Sequence, residues 1–403
     1  MPNTNATLSL AVVGAGPVGL SLALHAARAL PEARITLFDA RPAERDVSAD
    51  PRTLALSLGS VQMLQRLGAW HGESAQAILE VHVSQQPPSG LPWSTAEPEL
   101  RIRAVDEAVP QLGAVLTYGQ LLAPLQLEWL SAARQDALRL TTRFGTTVSA
   151  LKTVDGGVEV DAGIAERFDL AVVAEGGVFA EQRALQFPQG WSHDYGQTAW
   201  VGTVSLIGGQ SGVAFERFTR HGPAALLPLK ADNGTQRAAL VWCVPRDEEP
   251  VRELSDAQRL AVLNTLFPPA AGQLVGITPL KEFALGLNAQ RTLVDGRTVH
   301  IGNAAQTLHP VAGQGLNLGL RDAFELVLAL RDAGGDIDRA LKRVEWRRAP
   351  DRWSMIAATD FLARSFTWQL PGLGIARGLG LSALQRVPPL KSALARQMMF
   401  GVR

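Results

Sequence analysis

The chain has 403 residues, of which 46% are hydrophobic and 19% are charged. This length and composition allow two domains with large buried cores and exclude a chain that is mostly disordered. Lysine plus arginine and aspartate plus glutamate number 38 each, a balance that argues against nucleic-acid binding. The single cysteine, Cys243, lies in an apolar run and is interpreted as a packed core thiol in a reducing compartment. No metal-ligand spacing is present, so no metal site is expected.

A glycine-rich turn follows the first predicted strand. The apolar run 8–13 predicts a buried strand, and Pro17 opens a helix that continues to about residue 30. Gly14 permits the tight turn, Gly16 lets a pyrophosphate approach the backbone, and Gly19 lets the helix pack closely on the strand. The helix amino terminus offers unpaired N–H groups to the phosphates. The segment therefore predicts a dinucleotide-binding site, although it does not separate NAD from FAD.

A second predicted strand, 35–38, ends at Asp39. This acid follows the glycines at roughly the 20-residue spacing of a ribose-binding carboxylate. Asp39 is therefore expected to accept hydrogen bonds from the adenosine ribose hydroxyls. The alternative, a glycine-rich turn that binds no ligand, is disfavoured because strand, glycines, helix, strand and acid occur in this order.

The middle of the chain has strand character. Turn formers such as Gly208-Gly209 and Gly222-Pro223 separate its apolar runs. The apolar runs span residues 199–206, 213–218, 224–229 and 238–244. They predict an antiparallel sheet, which the segment 81–93 is expected to join.

A second glycine segment lies near residue 300. Residues 298–301 predict a strand that Gly302 closes, and a loop through His309-Pro310 leads to Gly313-Gln314-Gly315 and a helix to about residue 330. Glycines at a helix start leave backbone amides that can face a flavin ring, where the positive helix end stabilises negative charge. Two such segments in one chain describe a long ligand held at both ends, and FAD is the best candidate.

The carboxy-terminal region combines basic and apolar residues. It is predicted to be helical from about Val344, with interruptions at Pro371-Gly372 and Pro388-Pro389. No acidic residue follows Asp360, while six basic residues do: Arg364, Arg377, Arg386, Lys391, Arg396 and Arg403. Two compatible interpretations are helices packed on the main domain and a peripheral contact with an anionic membrane surface. No targeting segment or spanning apolar run is evident, so a cytoplasmic location, with possible contact at the inner face of the membrane, is expected.

The motifs resemble those of the class A flavoprotein monooxygenases, the group that contains p-hydroxybenzoate hydroxylase. Within that group the chain is most similar to the ubiquinone-biosynthesis hydroxylases. The second FAD motif of the family corresponds here to Gly302-Asn303-Ala304-Ala305-Gln306, and the run 309–323 matches very closely. The resemblance extends over essentially the full length through Arg52 with residues 55–57 and through residues 67–70, 222–229, 359–362 and 388–391.

The resemblance implies an α/β fold in which a Rossmann-like FAD-binding domain of the p-hydroxybenzoate hydroxylase type carries an inserted antiparallel-sheet substrate domain. The FAD domain is expected to be discontinuous, over residues 1–75, 101–185 and 286–345. Residues 76–100 and 186–285 are expected to form the substrate domain. Residues 346–403 would be a carboxy-terminal helical extension.

The resemblance also implies the reaction and its partners. An FAD-dependent monooxygenase would use NAD(P)H and O2, through a C4a-hydroperoxyflavin, to hydroxylate the ring of a polyprenylated phenol in ubiquinone biosynthesis. The flavin would do the oxidative chemistry, while the protein positions the ring and excludes water. NAD(P)H would bind transiently, without a Rossmann domain of its own. The carboxy-terminal region would contact the membrane or a ubiquinone-synthesis complex.

Site residues carried over from the family surround the flavin. Pro310 would pack near C4a, with Gly313 and Gln314 beside the reactive edge, while His309 would order the loop rather than act as a base. No side chain is identified as the phenol-activating base. The expected cofactor-binding residues are Gly14, Gly16, Pro17, Gly19, Asp39, Arg52, Glu175, Gly176, Gly302, Asn303, Gly315, Leu316 and Asn317.

Three positions depart from the family pattern. Asn303 and Gln306 replace the Asp and His of the second motif, and Glu175 replaces the Asp of a middle motif, after which Arg183 is displaced by one position. An amide can still donate and accept, so differently tuned FAD binding is expected rather than none. Two alternatives stay open: a hydroxylase of a small soluble aromatic compound, and a non-catalytic FAD-binding accessory protein.

Overall fold

The structure is a computed structural model that describes residues 7–86, 97–176, 190–248, 250–365 and 373–402. Arg183, the predicted break at Pro371-Gly372 and the last basic residue, Arg403, lie outside these ranges.

The described residues form strands and helices in the following chain order. The strands are β1 (Ser9–Val13), β2 (Arg34–Asp39), β3 (Thr53–Ser57), β4 (Gln76–Ile78), β5 (Glu80–Gln85), β6 (Glu99–Arg103), β7 (Gly113–Thr117), β8 (Leu140–Phe144), β9 (Ala150–Val154), β10 (Gly157–Asp161), β11 (Ala165–Phe168), β12 (Leu170–Val173), β13 (Trp191–Ile207), β14 (Val213–Thr219), β15 (Gly222–Asp232), β16 (Thr235–Pro245), β17 (Gln273–Ile277), β18 (Lys281–Ala289), β19 (Val294–Asp295), β20 (Thr298–His300) and β21 (Gln306–Thr307). The helices are α1 (Pro17–Ala29), α2 (Leu58–Arg66), α3 (Tyr118–Gln135), α4 (Asp256–Leu266), α5 (Gln314–Asp332), α6 (Ile337–Ser365), α7 (Leu373–Arg386) and α8 (Pro388–Phe400).

A six-stranded sheet contains the first strand at its centre, in the order β19–β20–β12–β1–β2–β8. All neighbours in it are parallel except β19 and β20. Its central strands are apolar because both faces are covered. Leu10 and Ile35 lie in the core that includes α1, whereas Ala11, Phe38 and Ala171 pack against β10 and β11. Leu10, Leu20 and Ile35 are fully buried in the largest core cluster of the described chain. The predicted Rossmann-like arrangement is confirmed.

A nine-stranded sheet forms the second layer, with the path β21–β18–β13–β16–β15–β14–β5–β6 and β17 beside β13. The four strands predicted in the middle of the chain correspond to β13, β14, β15 and β16, and they pair antiparallel in the order β13–β16–β15–β14. Of the segment 81–93 that was predicted to join this sheet, residues 81–85 do so as part of β5, which runs parallel to β14, and residues 87–93 lie outside the described residues. Two three-stranded sheets, β11–β10–β9 and β3–β7–β4, complete the strands.

The carboxy-terminal helices pack back on the body of the protein. Helix α6 begins at Ile337, so the expectation that helical structure starts at about Val344 placed the start too late. The predicted interruption at Pro388-Pro389 is confirmed, because α7 ends at Arg386 and Pro388 opens α8. Proline fits the first turn of a helix, where its N–H would be unpaired. Met399 of α8 is buried in a cluster with Leu58 of α2.

The expected domain boundaries at 100/101, 285/286 and 345/346 fall inside β6, β18 and α6. The division into domains stays a prediction. Within the residues that the structure describes, no helix combines the length and apolar character that crossing a bilayer requires.

Candidate active site

The predicted motifs meet at one edge of the six-stranded sheet. Val13 of β1 lies beside Phe38 of β2 and Val173 of β12, and Val173 lies beside His300 of β20. The residues that follow these positions on the four strands are therefore Gly14, Asp39, Ala174-Glu175 and Ile301-Gly302. The carboxyl ends of adjacent parallel strands are where open α/β sheets bind ligands. This edge brings together segments that are far apart in the sequence.

Two of the three glycines of the first motif are required by close backbone contacts. Gly14 has φ +103°, and a Cβ on it would lie 2.8 Å from the backbone nitrogen of Glu175. A Cβ on Gly19 would lie 1.9 Å from the carbonyl oxygen of Gly14. A Cβ on Gly16 would instead meet the Tyr118 hydroxyl, at 3.7 Å. Gly14 and Gly19 thus shape the turn, while Gly16 faces a more open side of it.

The two helices at the predicted FAD site lack the capping side chains of α2, α3 and α4. The hydroxyls of Ser57, Thr117 and Ser255 cap α2, α3 and α4. In contrast, α1 begins after Gly16 and α5 after Gly313 with no capping side chain and no acidic residue in the first turn. Pro17, the first residue of α1, has no N–H to satisfy. The remaining amino-terminal amides leave a partial positive charge suited to an anion.

Asp39 orders the first glycine turn. Its carboxylate accepts hydrogen bonds from the backbone N–H of Ala15 at 2.5 Å and from the backbone N–H and Nε of Arg41 at 2.8 and 2.9 Å. The Arg41 guanidinium also donates to the Ala15 carbonyl at 2.7 Å. The acid therefore holds the turn through backbone and arginine contacts. Its expected hydrogen bonds to ribose stay a prediction.

The middle and second motifs contact each other. A Cβ on Gly176 would lie 3.8 Å from Nδ2 of Asn303. Gly302 has φ +60°, and a Cβ on Gly319 of α5 would lie 2.7 Å from the Gly302 Cα. Helix α5 therefore packs closely on the Gly302 turn. Burial, and then the charge of Asp39, raise the pKa of the Glu175 carboxyl.

Gln306, one of the three departures, belongs to a buried polar network. Its Nε2 donates to Asp322 Oδ2 at 3.0 Å, and its Oε1 accepts from Arg352 Nε at 2.6 Å. Arg348 donates to Asp322 Oδ1 at 2.7 Å and to Asp351 Oδ2 at 2.8 Å. The glutamine therefore ties the second motif to α5 and α6. The sequence showed that Gln306 departs from the family motif. Its hydrogen-bond partners lie 16 and 46 residues away, so the sequence pattern did not indicate them.

Asn317 fixes the start of α5. Its Oδ1 accepts from the backbone N–H of Ser57 and the hydroxyl of Ser60, both at 2.8 Å. Its Nδ2 donates to the carbonyls of Ala55 at 3.1 Å and Gly313 at 2.9 Å. The asparagine side chain thus holds the loop that was expected to face the flavin. Its expected contact with the flavin stays a prediction.

The start of α5 leaves space for a ligand beside its backbone. Gly313 adopts φ +59°, which favours glycine, and Gln314 is 5% exposed. Nothing lies within 4 Å of a Cβ placed on Gly315. Leu316, next to it, is partly buried against the main core.

His309 is held in one neutral form. Its Nδ1 accepts from the backbone N–H of Val311 at 3.3 Å, so Nε2 carries the proton toward Gln197 Oε1 at 3.0 Å. Burial lowers the pKa of His309 to about 4. These contacts support the interpretation that His309 orders the loop rather than carrying protons.

Replacing His309 by glutamine is expected to weaken the acid sensitivity of the fold. The folded-state pKa of about 4 lies below the ordinary value of 6.5, so stability is full above pH 6.5 and falls as pH drops toward 4. At pH 5 the wild-type protein should have lost about 2 kcal/mol through this group. Urea unfolding at pH 8 and pH 5 measures the difference, which should shrink in His309→Gln. The exposed His71→Gln serves as the control, and equal pH dependence in all three proteins would contradict the assignment.

Arg52 lies at the outer side of the site. It pairs with Asp50 at 2.7 Å, and its guanidinium lies 4.2 Å from the ring centroid of Tyr118. The hydrogen bond with Asp50 raises the pKa of Arg52. Because the Tyr118 hydroxyl lies near Gly16, Arg52 is close to the first motif. Its expected movement with the flavin stays a prediction.

An apolar cavity of ≈ 340 Å³ begins at the loop formed by residues 310–314. Pro310, Gly313, Gln314 and Asn317 line one part of it. Strands of the nine-stranded sheet and the helices α6, α7 and α8 supply the other walls. The volume is that of a typical small-molecule pocket. The predicted position of the flavin's reactive edge and an apolar cavity therefore lie side by side.

Sequence analysis missed one polar residue of this cavity, Glu216 on β14. The sequence contained a signal for it, because Glu216 shares one face of a predicted apolar strand with Ala214 and Phe218. A carboxyl at such a position is unusual unless it has a partner or a function.

Residues 7–358 match the family model described as FAD binding domain. Ubiquinone hydroxylase UbiL of Rhodospirillum rubrum is 31% identical over 409 aligned positions, which cover 96% of this chain and 88% of that protein. The chain belongs to the ubiquinone-hydroxylase family of class A FAD-dependent monooxygenases. Within this family, 3-demethoxyubiquinol 3-hydroxylase of Escherichia coli is 30% identical, with 96% of this chain and 97% of that protein covered. The resemblance seen in the sequence motifs is confirmed.

Solved structures share the fold at lower identity. HpxO of Klebsiella pneumoniae, complexed with FAD and uric acid, superposes with a TM-score of 0.70 at 17% identity, covering 96% of this chain and 97% of that chain. PqsL of Pseudomonas aeruginosa, described as a probable FAD-dependent monooxygenase, gives a TM-score of 0.70 at 19% identity and covers 93% of this chain and all of the other. The predicted α/β monooxygenase fold with FAD as cofactor is confirmed.

Proposed function

We propose that this monooxygenase hydroxylates the aromatic ring of a polyprenylated phenol in ubiquinone biosynthesis, with NAD(P)H and O2 as co-substrates. The observation that carries the proposal is the apolar cavity between the Pro310–Gln314 loop and the carboxy-terminal helices. The names of the family members that match over nearly the whole chain support the same substrate class.

The residues present fit FAD. The Gly14–Gly19 turn and the uncapped start of α1 would hold the pyrophosphate, and the uncapped start of α5 would stabilise negative charge on the ring. FAD, when bound, supplies the redox chemistry that accepts a hydride and activates dioxygen. The chain itself orients the phenol, excludes water with its apolar walls and fixes the loop through Asn317 and His309.

The carboxy-terminal helices give the cavity room for an apolar tail. Leu381 and Leu384 of α7 and Leu394 and Met398 of α8 line it. Burying a five-carbon prenyl unit against such side chains contributes roughly 3–4 kcal/mol, at about 0.8 kcal/mol for each buried carbon. A soluble aromatic acid would gain nothing from these walls. The cavity therefore favours a prenylated substrate over the small soluble one.

The same helices would contact the inner face of the membrane from the cytoplasm. Leu379, Val387 and Leu390 are 49%, 45% and 52% exposed. Not all of the basic groups there are available for lipid, because Lys391 pairs with Asp106 at 3.6 Å and Arg396 lies 4.0 Å from Glu107. Exposed apolar side chains beside the cavity walls support a peripheral contact through which a membrane-dissolved substrate would enter.

A product assay tests the proposal. The FAD-loaded protein would be incubated with NADH or NADPH, isotopically labelled dioxygen and 2-farnesylphenol, and in parallel with phenol and 4-hydroxybenzoate. Mass spectrometry should show one labelled oxygen in the farnesylphenol product. Product from a soluble phenol alone would favour the second candidate, and no product or NAD(P)H oxidation with any phenol would favour an accessory protein.

Two tryptophan variants test the position of the tail. Leu384→Trp would fill part of the cavity and should raise KM for 2-farnesylphenol at least about tenfold, a loss of about 1.4 kcal/mol, while leaving phenol turnover unchanged. Leu379→Trp, on the exposed side of the same helix, should leave KM for 2-farnesylphenol unchanged. Equal effects of the two variants would contradict the tail position.

A further inference from the structure

One carboxyl side chain lines the apolar cavity. Glu216 lies on β14, between Ala225 of β15 and Val83 of β5 in the sheet register. Its neighbours on the cavity wall are apolar, among them Ala214, Phe218 and Val241. Of the described residues that line the cavity, Glu216 is the single one with a carboxyl group.

Glu216 differs from the charged residue next to it because no described residue pairs with it. Among residues 7–86, 97–176, 190–248, 250–365 and 373–402, no hydrogen bond or ion pair to its carboxyl is found. Arg217, which points to the other face of the strand, pairs with Glu97 at 2.5 Å. A carboxyl that faces an apolar cavity without a partner is costly unless a ligand supplies one.

The surroundings of Glu216 contain little other titratable chemistry. The Cys243 thiol on β16 lines the same cavity, and burial and then the charge of Glu216 raise its pKa. The cavity residues from β5, β15, α6, α7, α8 and the Pro310–Gln314 loop are uncharged. His82 of β5 lies against Phe215 at 5.4 Å between ring centroids and pairs with Glu99, on the opposite face of the sheet. No cation in this part of the described chain competes for the Glu216 carboxylate.

We infer that Glu216 accepts a hydrogen bond from the hydroxyl of the phenol substrate and takes its proton during ring hydroxylation. This inference rests on the proposed function. The phenol O–H bond breaks, an O–H bond forms on the Glu216 carboxylate, and no electrons change hands in this step. The ring becomes a phenolate, which is more electron-rich at its ortho and para carbons. The proton returns to the product oxygen before release, which restores the carboxylate.

The chemistry of the group suits this role. Burial raises the pKa of Glu216 to about 8, closer than an ordinary carboxyl to a phenol of pKa about 10. Proton transfer is most efficient when donor and acceptor are matched and the group titrates near the working pH. A carboxyl of ordinary pKa would be a much weaker base toward a phenol.

Kinetics of the FAD-loaded protein with 2-geranylphenol provide the first test. Glu216→Gln should lower kcat at least about 100-fold with little change in KM, and Glu216→Asp should recover part of the loss. In the wild type, kcat/KM should fall tenfold per pH unit below about pH 8, and this limb should disappear in Glu216→Gln. Glu253→Gln, an exposed glutamate, is the control. An unchanged kcat and pH profile in Glu216→Gln would overturn the inference.

Binding without turnover separates this inference from the proposed function. In the absence of NAD(P)H, wild-type protein should bind 2-geranylphenol more tightly than its methyl ether, and Glu216→Leu, which has no acceptor at this position, should bind both equally. If no product forms but the preference depends on Glu216, the proposed reaction fails while the phenol contact stands. If product forms and the preference is the same in both proteins, or if neither protein binds 2-geranylphenol, the inference fails.

Thermal unfolding gives a readout that is independent of any ligand. A carboxyl with a raised folded-state pKa contributes stability that is present at low pH and is lost as pH rises toward about 8. Glu216→Gln should therefore have close to the wild-type Tm at pH 4.5, the ordinary pKa of a glutamate, and exceed it by several degrees at pH 9. A constant Tm difference across this range would contradict an unpartnered carboxyl facing the apolar cavity.

Discussion

Replacing Gly19 by alanine is expected to weaken FAD binding at least about 100-fold. The added Cβ would lie 1.9 Å from the carbonyl oxygen of Gly14 and 3.3 Å from the Cβ of Ala174. Because backbone atoms cannot rotate away, α1 must move off the sheet and the turn that faces the pyrophosphate must change shape. The dissociation constant for FAD should rise at least about 100-fold, a loss of about 2.7 kcal/mol. Flavin fluorescence titration of the apoprotein measures this effect.

Two further glycine variants control this experiment. A Cβ placed on Gly315 or on Gly380 would meet no atom of the described chain within 4 Å, and both glycines lie in helices. Gly315→Ala should weaken FAD binding although the protein itself has room for the methyl group, because the ligand is expected there. Gly380→Ala should leave FAD binding unchanged and stabilise α7 by up to about 1 kcal/mol. Equal FAD affinity in all three variants would show that these glycines do not border the cofactor.

Replacing Arg348 by methionine is expected to destabilise the fold by about 3–5 kcal/mol, since it removes the buried arginine that Asp322 and Asp351 share. Asp322 and Asp351 are fully buried, and Arg348 is 3% exposed between them. The two aspartates are part of the network that holds Gln306, so the second FAD motif should also loosen. Urea unfolding measures the loss of stability, and FAD titration measures the effect on the motif.

Arg347 is a matched control one position away. It lies 3.5 Å from Glu325 in an exposed pair, and its side chain is 42% exposed. Arg347→Met should cost less than about 1 kcal/mol because solvent screens such pairs. If Arg348→Met cost no more than this control, the buried network would not be holding α5 and α6 together.

The sequence predicted the parts of the site that depend on local backbone requirements. Gly14, Gly19 and Gly302 could be recognised because each stands where a tight turn or a close approach admits no side chain. The family resemblance then indicated that distant motifs bind one ligand, and β1, β12 and β20 do lie side by side.

Other features depend on contacts between residues far apart in the chain. The parallel pairing of β5 with β14 is set by packing on both faces, which a strand pattern does not encode. The partners of Gln306 come from α5 and α6, so the glutamine looked like a defect in a motif rather than part of a network. Glu216 was overlooked because the apolar residues of its strand predict a core strand. That its carboxyl has no partner among the described residues follows only from the structure.

The central claim is that the converging segments bind one FAD with its ring at the mouth of the apolar cavity. A crystal structure of the protein with bound FAD tests this most directly. We predict the pyrophosphate at the Gly14–Gly19 turn and the isoalloxazine ring against Gly313–Gly315, facing Glu216 across the cavity. FAD bound away from the carboxyl ends of β1, β12 and β20, or a ring that cannot reach the cavity, would contradict the account.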